Sequence, residues 1–232
     1  MKKYFVLPFT ILFAVAIFIF IITFSIGLPI YCRFFYYLQI EPLGIPKLTG
    51  YDYQTIKSSY DAVLDYLTLP SVPFSTGVFK YSESGASHFY DCKILFNLNA
   101  IALLISSAII VIGLILDKTK KLTLLRAKGF HPAFYSAIGI FAFFIILIGL
   151  VSINFDTAFT VFHKIFFPGK DNWTFNPYVD EIINALPQQF FLNCAILIGT
   201  SIIVISLGII VFCFFIRKNK QKTKKLLTES EK

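Results

Sequence analysis

Residues 4–30 read Tyr4-Phe-Val-Leu-Pro-Phe-Thr-Ile-Leu-Phe-Ala-Val-Ala-Ile-Phe-Ile-Phe-Ile-Ile-Thr-Phe-Ser-Ile-Gly-Leu-Pro-Ile30, without one charged side chain. About 20 apolar residues suffice for a helix to cross a bilayer. The run opens behind Lys2 and Lys3 as a secretion signal would. It exceeds the roughly 7–15 residues of a signal core, and no small-x-small cleavage site follows it. Leu28-Pro-Ile-Tyr-Cys32 has the outline of a lipoprotein cleavage box, but bulky Tyr31 stands where a small residue is needed. The run is therefore read as an uncleaved first span. Three more follow, at about Leu95–Leu116, Ala133–Ile153 and Phe190–Ile216.

Composition agrees. Of 232 residues, 56% are hydrophobic and 15% charged, too little charge to coat a soluble domain of this size. The net charge of +8 raises the possibility of a nucleic-acid partner, and its distribution argues against one. The N-terminus, the segment from Asp117 to Pro132 and the tail 217–232 carry 2, 5 and 7 Lys+Arg, 14 of the 21 present. Loops 33–93 and 155–189 carry the other seven together with 10 acids. Positive charge gathers on the cytoplasmic side of membrane proteins. Both termini are thus expected in the cytoplasm and both large loops outside, with the excess charge at the inner leaflet.

The first loop contains Ile56, Tyr60, Val63, Leu64 and Leu67 at spacings of one helical face, so an amphipathic helix is expected there, ending at Leu69-Pro70. Ser71 to Ser87 reads as loop with a short hairpin. The tail is expected to be helical at first and then disordered. No repeat or linker divides the chain. The expected architecture is a single all-α membrane domain, residues 1–232, with four transmembrane helices and a small extracellular cap formed by the two outer loops.

Candidate chemistry gathers on the outer face. The second outer loop holds Phe162-His-Lys-Ile-Phe-Phe-Pro-Gly-Lys-Asp-Asn-Trp-Thr-Phe-Asn-Pro177, with the only Trp of the chain and a turn at Pro168-Gly169. Large rings mixed with polar tips suit the water–lipid boundary. His163 lies here, and His88 precedes the second span on the same face; His131 heads the third span from the cytoplasmic side. Two imidazoles at a lipid boundary suit general acid–base work on an ester. If the second helix starts early, Asp91 shares a face with His88 and would orient it. Two alternatives stay open: His88, Asp91 and His163 as an open zinc site, or two unrelated interfacial histidines. The four cysteines are scattered without metal or disulfide spacing. Cys32 and Cys92 face outward, but only Cys92 has a candidate base near it, so nucleophilic thiol chemistry is disfavoured.

Two segments carry a resemblance. Tyr81-Ser-Glu-Ser-Gly-Ala-Ser-His-Phe-Tyr-Asp-Cys-Lys93 and Phe162–Pro177 resemble the signature segments of the lipoprotein intramolecular transacylases, four-span membrane proteins of Gram-positive bacteria. The likeness extends over the whole chain in length, topology and loop order. It departs where Ser84-Gly85 follows Glu83 and where Cys92 replaces a Val. The resemblance implies an enzyme of the bacterial cell membrane. Its substrate is a diacylated lipoprotein whose sn-2 acyl chain moves from glycerol to the α-amine of the N-terminal Cys. It implies His88 and His163 as the catalytic pair. Asp91 is then the supporting residue, and Lys164, Phe166, Phe167, Gly169, Asn172 and Trp173 are candidates for holding lipid or the oxyanion. Since amine and ester belong to one molecule, no cofactor and no metal is expected, and a monomer suffices. The competing classes are a non-enzymatic tetraspan assembly or transport partner and a membrane metallohydrolase.

Overall fold

A computed structural model describes residues 2–230, all of whose regular structure is helical. Nine helices are formed among these residues: α1 (Lys2–Tyr31), α2 (Phe34–Tyr37), α3 (Ile45–Thr49), α4 (Tyr53–Thr68), α5 (Glu83–Lys118), α6 (Pro132–Ile153), α7 (Phe155–Phe166), α8 (Ile182–Ala185) and α9 (Gln188–Ser230). Four of them, α1, α5, α6 and α9, are long and apolar enough to cross a membrane.

The chain divides into two compact units. The first takes in the residues up to Phe24, Ala102–Ile148 and those from Gly199 onward. Here Phe13 is fully buried and faces Gly113, where even a Cβ would collide with its ring. Ser136 Oγ donates to the Ala14 carbonyl at 2.8 Å, and Leu125 N–H donates to Thr10 Oγ1. Small residues and side-chain hydrogen bonds are what bring helices together in lipid, where apolar surface gains nothing by being hidden. Accordingly Ile11, Leu104, Ile146 and Phe212 point outward. The basic segment after α5 is held by Asp117, which accepts from Leu124 N–H and from Arg126. His131 takes the helix-start role: its Nδ1 accepts from Ala133 N–H at 3.3 Å.

The second unit, Ser25–Ile101 and Gly149–Ile198, has a conventional apolar core. α4 forms where the sequence predicts: Asp52 caps it by accepting from Thr55 N–H, and it stops at Leu69 because Pro70 follows. Its buried residues are Ile56, Ser59, Tyr60, Val63, Leu64, Tyr66 and Leu67, each large apolar member contributing about 1.5–3 kcal/mol. Tyr36 stacks on Tyr60 at 3.7 Å and donates its hydroxyl to the Ala185 carbonyl, tying α2, α4 and α8 together.

Three expectations are corrected. No hairpin forms between Ser71 and Ser87: residues 70–82 run without regular structure, and the stretch from Glu83 is already helix. The early start of α5 has a visible cause. Ser82 Oγ accepts from Gly85 N–H, and the buried Asp180 carboxylate accepts from both Ser82 N–H and Ser82 Oγ. That is a helix cap held in place by a distant loop. The stretch after α6 is not loop throughout, because Asn154 turns to an extended backbone and caps a new helix, α7. In the tail, helix continues to Ser230 rather than giving way to disorder; Lys, Gln and Leu there are good helix formers. Met1, Glu231 and Lys232 lie outside the described residues.

Candidate functional site

The residues of the candidate site all belong to the second unit. On α5, His88, Asp91 and Cys92 follow at i, i+3 and i+4, one face of a helix. At 36 residues α5 is about 54 Å long, against about 30 Å of hydrocarbon. The sequence places the apolar span from Leu95 onward, so this turn stands ahead of it. On α7, His163 occupies the last turn. It is followed by Phe167, Pro168 and Gly169, whose φ of +72° is the left-handed turn that Pro-Gly predicts.

These two helices bring His88 and His163 together. The ring centroids of His88 and His163 are 5.8 Å apart, and both side chains are buried. His163 lies against Trp173, near parallel at 4.8 Å, and the indole N–H donates to the Lys170 carbonyl. The edge of His88 meets Phe167 at 4.8 Å and Phe175 at 5.5 Å. Around the pair opens a cavity of about 710 Å³, walled by rings of α7 and by the apolar face of α4. That is the size of a small-molecule pocket, and its lining is overwhelmingly apolar.

The two imidazoles differ in their partners. His163 Nδ1–H donates to the Phe159 carbonyl at 2.7 Å. That bond fixes the tautomer and leaves Nε2 with a free lone pair. Burial pushes the His163 imidazole below its ordinary value of 6.5, and the Phe159 carbonyl opposes this by favouring the protonated ring. His163 is therefore neutral at pH 7. A reaction that needs the bare Nε2 should keep its rate as pH falls past 6.5, with the acid limb of the pH–rate profile centred lower. A limb centred at or above 6.5 would show that His163 is not the titrating base. Linkage runs the same way. The unfolded chain binds the proton first, so acid below 6.5 removes stability until the folded ring titrates as well. His88 Nε2 lies 3.4 Å from Cys92 Sγ, and its buried Nδ1 has no hydrogen-bond partner.

Of the residues singled out in the sequence, the structure unites His88, His163, Asp91, Phe167, Asn172 and Trp173. Asp91 does not bond His88 directly: its carboxylate accepts from Lys170 Nζ and from Asn172 Nδ2. Lys164 and Phe166 are exposed and off the cavity wall, Phe166 stacking on Phe162 instead. Gly169 serves the turn and has no side-chain neighbour in reach. The zinc reading is not supported, since His88, Asp91 and His163 do not converge as a ligand group among the described residues. Lys170, Phe159 and Phe175 join the site only in the structure. Only Phe159 had a signal, because residue i−4 on a helix supplies the carbonyl nearest His163. Gly85 shows why the neighbouring position on α5 must be small: a Cβ there would sit 2.4 Å from Asp180 Oδ1 and 3.0 Å from the Phe175 ring.

A profile of the family described as lipoprotein intramolecular transacylase Lit matches residues 11–191. The in meso structure of the membrane-integral lipoprotein intramolecular transacylase Lit from Bacillus cereus is 27% identical to the chain. It superimposes with a TM-score of 0.81, the match covering 97% of this chain and 100% of that one. Two further structures of the Bacillus cereus protein carry one histidine replaced by arginine or by alanine. Both are 26% identical over 97% of this chain, covering 96% and 97% of theirs, with TM-scores of 0.74 and 0.75. No curated protein sequence matches the chain.

Proposed function

Because the chain belongs to the lipoprotein intramolecular transacylase family, we propose that it moves the sn-2 acyl chain of a diacylglyceryl-modified lipoprotein to the α-amine of the N-terminal cysteine. The protein is an acyltransferase and a multi-pass membrane protein. The observation that carries the reading of the site is the facing pair of buried imidazoles, 5.8 Å apart in an apolar cavity. It is the right equipment for an ester-to-amide exchange at the edge of a membrane.

The substrate amine arrives as an ammonium and must lose two protons to become an amide nitrogen. His163 Nε2 takes the first, which leaves to solvent. The free amine then attacks the sn-2 carbonyl carbon: the N–C bond forms and the carbonyl oxygen becomes an oxyanion. His88 takes the second proton from the attacking nitrogen and delivers it to the glycerol oxygen as the C–O bond breaks. The products are the amide and the free sn-2 hydroxyl, of unchanged total mass. Proton transfers of this kind contribute typically 10²–10⁴-fold each. The cavity's Phe167 and Trp173 hold acyl chain and headgroup region, and no acyl donor besides the lipoprotein is required. All the site residues come from one chain, so a monomer is sufficient.

The site is assigned to the outer face of the bacterial membrane, with both termini in the cytoplasm. The support is the 14-of-21 share of Lys+Arg carried by the N-terminus, the 117–132 segment and the tail. A reporter fused after Lys80 should be active outside the cell and one after Lys120 inside; the opposite pattern would refute the orientation. The activity itself is tested with purified protein and a diacylated lipopeptide. The α-amine should disappear while the mass stays constant, and fragmentation should place one acyl group on nitrogen. An unaltered lipopeptide would overturn the reading.

A further inference from the structure

Two buried polar atoms of the site have no hydrogen-bond partner, and they are complementary. One is Nδ1 of His88, a donor in the tautomer that leaves Nε2 free; the other is Oδ1 of Asn172, an acceptor. The two side chains are neighbours: the Asn172 amide reaches Ser87 Oγ, on the residue that precedes His88, at 3.4 Å. Orphaned buried polar groups are rare in native proteins, and two that match and adjoin are most simply satisfied by each other. The far end of the Asn172 amide is already fixed. Its Nδ2 donates to Asp91 Oδ2 at 3.0 Å and reaches Ser87 Oγ at 3.4 Å. Asp91 is itself anchored by the Lys170 ammonium, and its side chain is only 11% exposed.

We propose that Asn172 is the positioning residue of His88, accepting from its Nδ1–H and linking it to Asp91. This rests on the transacylase reading above, in which His88 carries a proton on Nε2. The chain Lys170–Asp91–Asn172–His88 performs the task that a single carboxylate performs in a hydrolase triad. It holds one tautomer and favours the imidazolium that forms when Nε2 takes its proton. The amide stands between the carboxylate and the ring because Asp91 is turned toward Lys170. The same geometry argues against Asn172 as an oxyanion donor, since both of its N–H groups are directed at Asp91 and Ser87.

The two roles make opposite forecasts for one substitution. Asn172→Ala removes the acceptor, and kcat should fall by about 10–100-fold, the usual effect of losing an outer hydrogen-bond partner, with KM for the lipopeptide little changed. Asn172→Asp has the same shape and restores an acceptor at Nδ1 while abolishing the N–H donors. If Asn172 positions His88, the Asp variant turns over faster than the Ala variant. If it binds the oxyanion, the Asp variant is as slow or slower, and the proposal is overturned. It is equally overturned if Asn172→Ala keeps the parent kcat, or if the loss lies in KM alone. His88→Ala is run alongside. A parent that forms no N-acyl product, or a fully active His88→Ala variant, brings down the transacylase reading and this proposal together. An active parent, an inactive His88→Ala and an unaffected Asn172→Ala bring down this proposal alone.

Discussion

His88→Ala and His163→Ala should each reduce formation of the N-acylated lipopeptide by about 10²–10⁴-fold, the usual share of a proton-transfer group. Both variants should still accumulate in the membrane. Neither ring is the keystone of the apolar core, which is built from Tyr36, Tyr60, Phe79 and the α4 face. Each ring nevertheless fills space: His163 lies against Trp173 and Phe159, and His88 against Phe167 and Phe175. Truncation leaves a gap, so His163→Gln and His88→Gln serve as fuller-sized controls; they too should be inactive, because an amide does not take up a proton. His131→Ala should retain parent activity, since that ring caps α6 in the other unit. The two substitutions should not multiply. The two rings take successive protons of one reaction, and groups that act as a unit in one reaction are far from additive, so the double variant should be about as slow as the slower single. Near-parent activity in either the His88 or the His163 variant would remove that histidine from the reaction.

The relation of sequence to structure is uneven along the chain, for physical reasons. The four spans are legible because a bilayer imposes a length and a composition, and both can be read without knowing any contact. α4 is legible because its caps and its buried face are all local. The start of α5 was not, because its cap at Ser82 is held by Asp180, nearly a hundred residues away. α7 was missed for another reason. Asn154 is an ordinary capping residue, but it follows the apolar run of α6 directly, and the aromatic content of 155–166 reads as a boundary segment. The sequence singles out His88 and His163, and the structure places their rings 5.8 Å apart. The role given to Asp91 shows the limit. Spacing on a helix places Asp91 beside His88, yet it does not reveal that Lys170 and Asn172 draw the carboxylate away. That competition is tertiary, and nothing in the local pattern records it.

A crossover experiment has the sharpest expected outcome. Two lipopeptides are mixed with the purified enzyme, one carrying a deuterated sn-2 acyl chain and the other a heavy-isotope peptide. If amine and ester react within one molecule, every product keeps its own acyl chain and no doubly labelled N-acyl peptide forms. The expectation follows from chemistry as well as from family membership. The α-amine and the sn-2 ester hang from the same cysteine, so the cavity need only fix a few torsions. Well-oriented groups within one molecule reach effective molarities of about 10⁵–10⁸ M, which no second lipid in a bilayer can match. The walls of the cavity fit this division of labour. Phe159, Phe167, Val63 and Leu67 give apolar surface of the kind an acyl chain needs, and the two imidazoles stand in the same lining. A stored acyl-enzyme would need a nucleophile, and the candidate beside His88 is Cys92. A thioester there would release glycerol-bound lipopeptide and accept any amine that followed, giving mixed labels. Doubly labelled product would therefore overturn direct transfer, and its loss in Cys92→Val would identify the thiol as the carrier. Unmixed labels, with Cys92→Val as active as the parent, would leave the two imidazoles as the groups that move the protons.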